Sequence, residues 1–340
     1  MDKRLLSKQC TNNGVLFQEI SLLLETARKR AVHLVNNTMV RTYFEIGRLI
    51  VEHEQKGNSR AEYGKSTLKR LSERLIKQFG KGFSKRNLEQ MRLFYLTYEK
   101  TQTVSAQFEL SWSHYLLLMR IRNSDERSFY EREAVNAGWS LRELERQYNS
   151  ALYQRLLLSH DKDAVRILAN KGECIEESKD IVRDPYILEF LGLPEKPSYS
   201  ESDLEQKLIE KLQSFLLELG KGYAFVGRQV RISFDEQHFF VDLVFYNRML
   251  QCFVLIDLKI GKITHQDIGQ MQMYVNYYDR YVKTKNENKT VGIILCRNKN
   301  DALVQITLPE DNKQIFASKY ETVLPDKRML EKLISERDCS

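Results

Sequence analysis

Two apolar runs within residues 238–262 most strongly constrain the fold and chemistry of this 340-residue chain, because each run contains a carboxylate. The stretch reads HFFVDLVFYNRMLQCFVLIDLKIGK, and side chains in such strands alternate between two faces. Asp242 is the single charge in the first run, and Asp257 and Lys259 share one face at the end of the second. A buried carboxylate costs several kcal/mol unless it is paired or binds a metal, so these charges require an explanation.

Two interpretations of these charges are open. In the first, Asp257 and Lys259 form an ion pair at a strand end while Asp242 accepts backbone hydrogen bonds, which is the commoner situation for each residue alone. In the second, a turn at 247–250 pairs the two runs and brings Asp242 close to Asp257, so that a divalent cation between them offsets their repulsion. Hard oxygen ligands favour Mg²⁺, or alternatively Mn²⁺, over Zn²⁺.

The elements around these runs predict an α/β domain. Apolar spacing predicts a helix at 203–219, three strands at 223–234, 238–246 and 251–260, a helix at 264–280 and a buried strand at 290–297. The resulting order is αβββαβ. Polar and proline-rich sequence at 161–200 predicts a linker, which separates a helical domain at 1–160 from the α/β domain at 201–340.

The sequence pattern of residues 1–160 predicts an all-helical domain that contains two helix-turn-helix-like hairpins. A helix at 61–79 is followed by the break Gly80–Gly82 and by Ser84, a typical N-cap for the next helix. A second break at 137–139 precedes Ser140, which together with Glu143 matches a capping box. Two helices joined by a short glycine turn form the outline of a helix-turn-helix unit.

Charge is divided unevenly along the chain. The whole sequence has 53 Lys and Arg against 46 Asp and Glu, a net charge of +7. Residues 1–160 hold 27 of the basic and 17 of the acidic residues. The segment 56–92 alone holds eleven basic and three acidic residues. We expect this segment to contact a nucleic acid, with an ordinary solvated helical face as the alternative. The candidate contact residues are Lys81, Lys85, Arg86, Asn87 and Arg92.

Composition excludes several classes of protein. Hydrophobic residues make up 42% of the chain, and Gly and Pro are scarce, which excludes collagen-like and wholly disordered chains. No apolar run is long enough to cross a membrane, and the first residues lack the pattern of a signal peptide. Five cysteines without a CxxC pair are typical of reduced thiols. We therefore expect a cytoplasmic protein with no membrane partner.

The residues around the two carboxylates resemble the signature of the PD-(D/E)XK nuclease superfamily. Asp242 and the tripeptide Asp257-Leu258-Lys259 match this signature, although Val241 stands where it has proline. Longer strings in both halves are similar to the YhcG-type family of that superfamily. They include FGKGFSKRNLEQMRLFY, WSLRELERQYNSALYQRL, FLLELGKGYAFVGRQVR, VDLVFYNRMLQCFVLIDLK and GQMQMYVNYYD.

Two further elements belong to this resemblance. Gln270 and Tyr274 resemble the QxxxY element of the RecB-like branch. Glu205 resembles the helical carboxylate of the superfamily, with Glu201 and Glu210 as alternatives at this stage.

The resemblance implies a restriction-endonuclease-like fold and metal-dependent hydrolysis of phosphodiester bonds in DNA, with RNA as an alternative substrate. Asp242, Asp257 and Glu205 would hold one or two Mg²⁺ or Mn²⁺ ions. Lys259 would orient or activate the attacking water, or neutralise developing charge. Gln270 and Tyr274 would position Lys259 or the scissile phosphate, and a plain core aromatic is the alternative for Tyr274.

Two functional hypotheses follow from these observations. The first is an endonuclease that acts in genome maintenance, on mobile elements or in defence. The alternative is a nucleic-acid-binding or interaction subunit of a restriction or defence system with little or no nuclease activity. A homo-oligomer, or a complex with partner proteins of such a system, is compatible with both hypotheses.

Overall fold

The chain divides into two compact units, Met1–Arg127 and Ser128–Ser340. The computed structural model describes residues 3–56, 61–99, 108–159, 168, 171–195, 198–234 and 236–338. This division differs from the one expected from sequence, which placed a linker at 161–200; part of that segment lies outside the described residues. Because of that gap, the domain boundaries predicted from sequence stay a prediction.

The first unit is helical in its described part. It contains α1 (Lys3–Lys56), α2 (Ala61–Phe79), α3 (Lys85–Tyr98), α4 (Trp112–Leu118) and the start of α5 (Ser124–Asn136). Helix α1 runs without a break through residues 35–40, where no glycine or proline interrupts it. At Gly47 it crosses α3 so closely that a Cβ atom would lie 2.1 Å from the carbonyl oxygen of Met91.

The local signals at both predicted hairpins are present. A 3₁₀ turn at Lys81–Phe83 joins α2 to α3, and the Ser84 hydroxyl accepts a hydrogen bond from the Asn87 N–H. At the second break, Ser140 and Glu143 form the predicted capping box at the start of the next helix. Within the described ranges, none of the helices combines the length and the apolar character that a bilayer crossing requires.

The second unit is built on one mixed sheet. Its described strands are β1 (Tyr186–Ile187), β2 (Tyr223–Phe234), β3 (Gln237–Asn247), β4 (Cys252–Lys262), β5 (Val291–Asn298) and β6 (Ile315–Glu321). They lie in the order β1-β6-β5-β4-β3-β2, with β2, β3 and β4 antiparallel and β4, β5, β6 and β1 parallel.

Helices cover both faces of this sheet. The helices described after α5 are α6 (Leu141–Asn149), α7 (Leu152–Ser159), α8 (Glu201–Glu210), α9 (Leu212–Leu219), α10 (His265–Tyr277), α11 (Asp301–Thr307) and α12 (Lys327–Asp338). Leu208 of α8 and Phe215 of α9 share a buried core with Ile256, whereas Met271 of α10 packs with Leu255 on the opposite face. The predicted αβββαβ order is thus present, although the helix predicted at 203–219 is two helices that meet at Lys211.

Two strands were not predicted from sequence. Strand β6 continues the parallel half of the sheet, and β1 pairs with it inside the segment that we had interpreted as a linker. Tyr186 of β1 is fully buried in the core. A strand of two residues carries no period that a sequence can show, and its partner lies more than 120 residues further along the chain.

A buried ionic cluster around Glu218 of α9 fixes α6 and α7 to the sheet-bearing part of this unit. The Glu218 carboxylate lies 2.6 Å from Arg155 and 3.4 Å from Arg146, and it accepts the Ile187 N–H at 2.9 Å. Burial alone would raise the pKa of Glu218, but Arg155, Arg183 and Arg146 lower it on balance. Two helices expected in the helical domain are therefore bonded into the second unit.

We predict that Glu218→Gln destabilises the second unit by about 3 kcal/mol, because it leaves buried guanidinium groups without their counter-charge. The free energy of unfolding is to be measured by urea denaturation. The control is Glu145→Gln on the exposed side of α6, which should change it by less than about 0.5 kcal/mol. A loss below about 1 kcal/mol for Glu218→Gln would show that the cluster contributes little.

Candidate active site

The candidate site lies where β3 stops pairing with β4. Registered pairs between these strands end at Leu243 and Ile256, whereas β4 continues to pair with β5 beyond that point. At the next position of β3, the Asp242 Oδ2 atom accepts a hydrogen bond of 2.8 Å from the Leu258 N–H. A side-chain carboxylate thus takes the role that a strand carbonyl has elsewhere in the ladder, and charged side chains gather at this position.

Asp257 and Lys259 lie beside Asp242 on β4. Asp257 is only 3% exposed, and its Oδ2 atom lies 2.8 Å from the Lys259 ammonium, but no described donor makes an oriented hydrogen bond to that oxygen. Burial and the charge of Asp242 raise the pKa of Asp257 to about 7, against the opposing effect of Lys259. Burial alone would lower the pKa of Lys259, whereas the surrounding carboxylates raise it on balance.

Of the three candidate helical carboxylates, Glu201 and Glu205 reach this site. Glu201 accepts the Ile260 N–H at 3.3 Å and lies 3.8 Å from the Lys259 ammonium. Glu205 is buried and is described below. Glu210 is exposed at the end of α8 and bonds to a neighbouring side chain of the same helix, so the structure does not bring it to the site.

An amide that the sequence did not single out connects Glu205 to Asp242. The Gln229 Nε2 atom on β2 donates to Glu205 Oε2 at 2.5 Å and to Asp242 Oδ1 at 3.0 Å. Burial and the charge of Asp242 raise the pKa of Glu205, while the Gln229 hydrogen bond opposes this shift. All three side chains line a cavity of about 310 Å³. In the sequence, Gln229 looked like any polar residue on the solvent side of a strand.

Gln270 and Tyr274 lie one turn apart on α10 and contact each other. The Tyr274 hydroxyl accepts a hydrogen bond from the Gln270 amide and donates one of 2.9 Å to the Phe240 carbonyl on β3. Tyr274 is fully buried in the core between α10 and the sheet. The pair therefore anchors the helix to the strand that carries Asp242. Its predicted part in positioning Lys259 or a phosphate stays a prediction.

Two of the proposed nucleic-acid contacts have partners within the first unit. The Asn87 side chain donates to the Gly82 carbonyl and accepts from the Trp112 indole at 3.2 Å, so it stabilises the turn. Arg92 pairs with Glu54 of α1 at 2.7 Å.

Three proposed contacts remain on the outer surface of the same turn. Lys81 and Arg86 are exposed and form no ion pair with a described residue, whereas Lys85 lies 3.7 Å from Glu89 on its own helix. Lys81 is the first residue of the 3₁₀ turn, and Lys85 and Arg86 are the first two residues of α3.

The donor set at the candidate site suits a hard divalent cation. Mg²⁺ is commonly bound through one or two carboxylates, with water or phosphate as its remaining ligands. Asp242 and Asp257 provide two carboxylates on neighbouring strands. Among the residues that the structure describes, no three His, Cys, Asp or Glu side chains converge closely enough to form a complete metal cage.

We predict that Asp257→Asn changes the pH dependence of stability when divalent cations are absent. Burial and the charge of Asp242 raise the pKa of this carboxyl from its usual 3.8, the value expected in the unfolded chain, to about 7 in the folded state. Between these values the folded state keeps a proton that the unfolded state has lost, so the wild type loses stability as the pH rises from about 4 to 7.

The variant lacks this loss, and it should gain stability relative to the wild type by at most about 1.4 kcal/mol per pH unit over that window. Urea denaturation at a series of pH values measures this difference, and the exposed Asp311→Asn is the control. A difference that does not vary with pH would contradict the raised pKa.

Comparison with known proteins gives matches for both halves of the chain. The family model of the YhcG PDDEXK nuclease domain matches residues 179–335, and that of the DUF1016 N-terminal domain matches residues 19–155. A relative from Escherichia coli (strain K12), named "Putative nuclease YhcG", is 42% identical in an alignment that covers 92% of this chain and 91% of that protein.

Two solved structures also match part of the chain. A repair endonuclease from Pyrococcus abyssi is 16% identical with a TM-score of 0.27, and covers 38% of this chain and 50% of its own. EndoMS in its apo form is 14% identical with a TM-score of 0.25, and the match covers 39% of this chain and 49% of that chain. The chain thus spans about half of each, and at these TM-scores the two matches carry no argument about function.

The near full-length match to a relative at 42% identity and the two family models together show the family of this chain. The chain therefore belongs to the YhcG family, in which a DUF1016 N-terminal domain precedes a PD-(D/E)XK nuclease domain.

Proposed function

We propose that this nuclease-family protein is a divalent-cation-dependent DNA endonuclease whose active site is formed by Asp242, Asp257 and Lys259. The observation that carries the proposal is the burial of Asp257 beside Asp242 with the Lys259 ammonium 2.8 Å away. Such an arrangement raises the pKa of Asp257 to about 7, which destabilises the folded state when no cation is bound. Strongly perturbed groups of this kind cluster at functional sites.

The side chains of the site have separable roles in this mechanism. Asp242 and Asp257 would hold Mg²⁺ or Mn²⁺, with Glu205 as the further carboxylate, and the bound ion would supply an acidified water and charge stabilisation at the phosphate. Asp242 is held in place by the Leu258 N–H, and its other oxygen accepts from the Gln229 amide, which also bonds Glu205. Lys259, paired to Asp257, would orient the attacking water or neutralise charge that develops on the phosphoryl oxygens.

We predict that Asp257→Asn and Lys259→Met each reduce cleavage of plasmid and linear duplex DNA in Mg²⁺ by at least about a hundredfold. The reason is that each change removes charge that acts in the transition state. Branched and single-stranded DNA, as well as RNA, tested in parallel will show which substrate is cut best.

The matched control is Lys262→Met, which removes an exposed cation from the same strand end. It should retain cleavage within about twofold of wild type, because surface substitutions away from a site rarely matter. If cleavage survives both Asp257→Asn and Lys259→Met, the site assignment is wrong. If the wild type cuts none of the substrates but binds DNA, a binding or interaction subunit is the better description.

We also propose that the first unit contacts the DNA backbone through the exposed cations around the turn at 81–83. Residues 1–127 hold 23 Lys and Arg against 13 Asp and Glu. Lys81 and Arg86 stand at the N-terminal end of α3, where backbone N–H groups also favour phosphate.

We predict that the double variant Lys81→Glu/Arg86→Glu weakens DNA binding by the full chain and lowers its salt dependence. The slope of log affinity against log salt should fall by about 1 for each phosphate group that the variant no longer neutralises. Fluorescence anisotropy at several salt concentrations measures both effects. The control Lys285→Glu/Lys289→Glu makes the same change of net charge on exposed residues of the second unit. Equal losses of affinity in the two double variants would argue against a specific contact surface.

A further inference from the structure

Gln229 on β2 has an unusual backbone conformation for its residue type. Its φ is +47°, in the left-handed region that residues with a Cβ atom adopt rarely and at a cost. The ladder to β3 is in register on both sides of it, at Arg228 with Leu243 and at Val230 with Val241. The conformation therefore persists inside a paired strand and not at its end. Backbone strain of this kind is often found where a side chain must be aimed at a functional site.

The Gln229 side chain is aimed at two of the proposed cation ligands. Its Nε2 atom donates to Glu205 Oε2 and to Asp242 Oδ1, 2.5 and 3.0 Å away. Glu205 comes from α8 and Asp242 from β3, so one amide joins a helix to a strand across the edge of the site. Hydrogen bonds from a donor to a carboxylate are stronger than those between neutral groups, and they reduce the repulsion between two such anions.

This amide lies where a cation shared by the same two carboxylates would lie. The Gln229 nitrogen lies 2.5 Å from Glu205 Oε2 and 3.0 Å from Asp242 Oδ1, and a cation that bridged these two oxygens at about 2.1 Å from each would overlap it, so the amide must move before such a cation binds.

We propose that Gln229 is a positioning residue that holds Glu205 and Asp242 together through its amide and gives up this position when a divalent cation binds. The inference rests on the proposed function, since it takes Asp242 as a cation ligand. It adds a residue that competes with the cation and keeps the ligands assembled in its absence.

The test is Mn²⁺ binding to the full-length protein, measured by isothermal titration calorimetry without nucleic acid. Gln229→Ala removes the competing donor, and it should bind Mn²⁺ roughly fivefold to tenfold more tightly than wild type. Gln229→Asn, whose shorter amide cannot span both carboxylates and which tolerates a positive φ better, should bind Mn²⁺ more tightly as well. The control is Gln272→Ala on α10, whose amide donates to Asn276 and not to the site; its affinity should equal that of wild type.

Thermal unfolding of Gln229→Glu provides a second readout. This isosteric change replaces a donor by a third carboxylate, so the melting temperature should fall without Mn²⁺ and rise with Mn²⁺ by more than that of wild type. A merely structural role for Gln229 predicts an equal rise in both proteins.

The outcomes separate this inference from the proposed function. If wild type binds Mn²⁺ and both Gln229→Ala and Gln229→Asn bind it with unchanged or weaker affinity, Gln229 is not a competitor and this inference is overturned alone. If neither wild type nor any variant binds Mn²⁺, both the inference and the proposed function are overturned.

Discussion

The burial of Asp257 beside Asp242 is the constraint on which the candidate site of the second unit depends. The two carboxylates lie on neighbouring strands at the point where those strands separate, and Asp257 is almost fully buried. The protein offsets part of this cost with the Leu258 N–H and the Lys259 ammonium. The remainder raises the pKa of Asp257, and a bound cation would recover that energy.

The surrounding elements keep these charges in place. The sheet provides two apolar strands that cannot move apart without exposing both cores, and α10 is tied to β3 through Tyr274 and the Phe240 carbonyl. On the other face, α8 presents Glu205 to the site, and α9 after it carries the buried Glu218 that fixes α6 and α7. Site and scaffold thus share elements, and a rigid scaffold is what a preorganised charge cluster requires.

The sequence predicted much of this arrangement because its signals were local. Alternating apolar residues predicted β2, β3 and β4, and the single charges within β3 and β4 indicated the candidate site. The strand pairing that brings Asp242 to Asp257 followed from one short turn. What it did not predict depends on distant partners: β1 is a strand only because it pairs with β6, and Gln229 matters only because α8 and β3 place carboxylates on either side of its amide. Neither relation leaves a period or a motif in the sequence.

Our main proposal is that Asp242 and Asp257 together hold a divalent cation. Crystals of the full-length protein grown in Mn²⁺, with diffraction data collected at the manganese absorption edge, test it most directly. We expect an anomalous peak within coordination distance of both carboxylates, at roughly 2.0 to 2.4 Å from their oxygens, and its loss in Asp257→Asn. A peak bound elsewhere, or one that persists unchanged in the variant, would contradict the proposal.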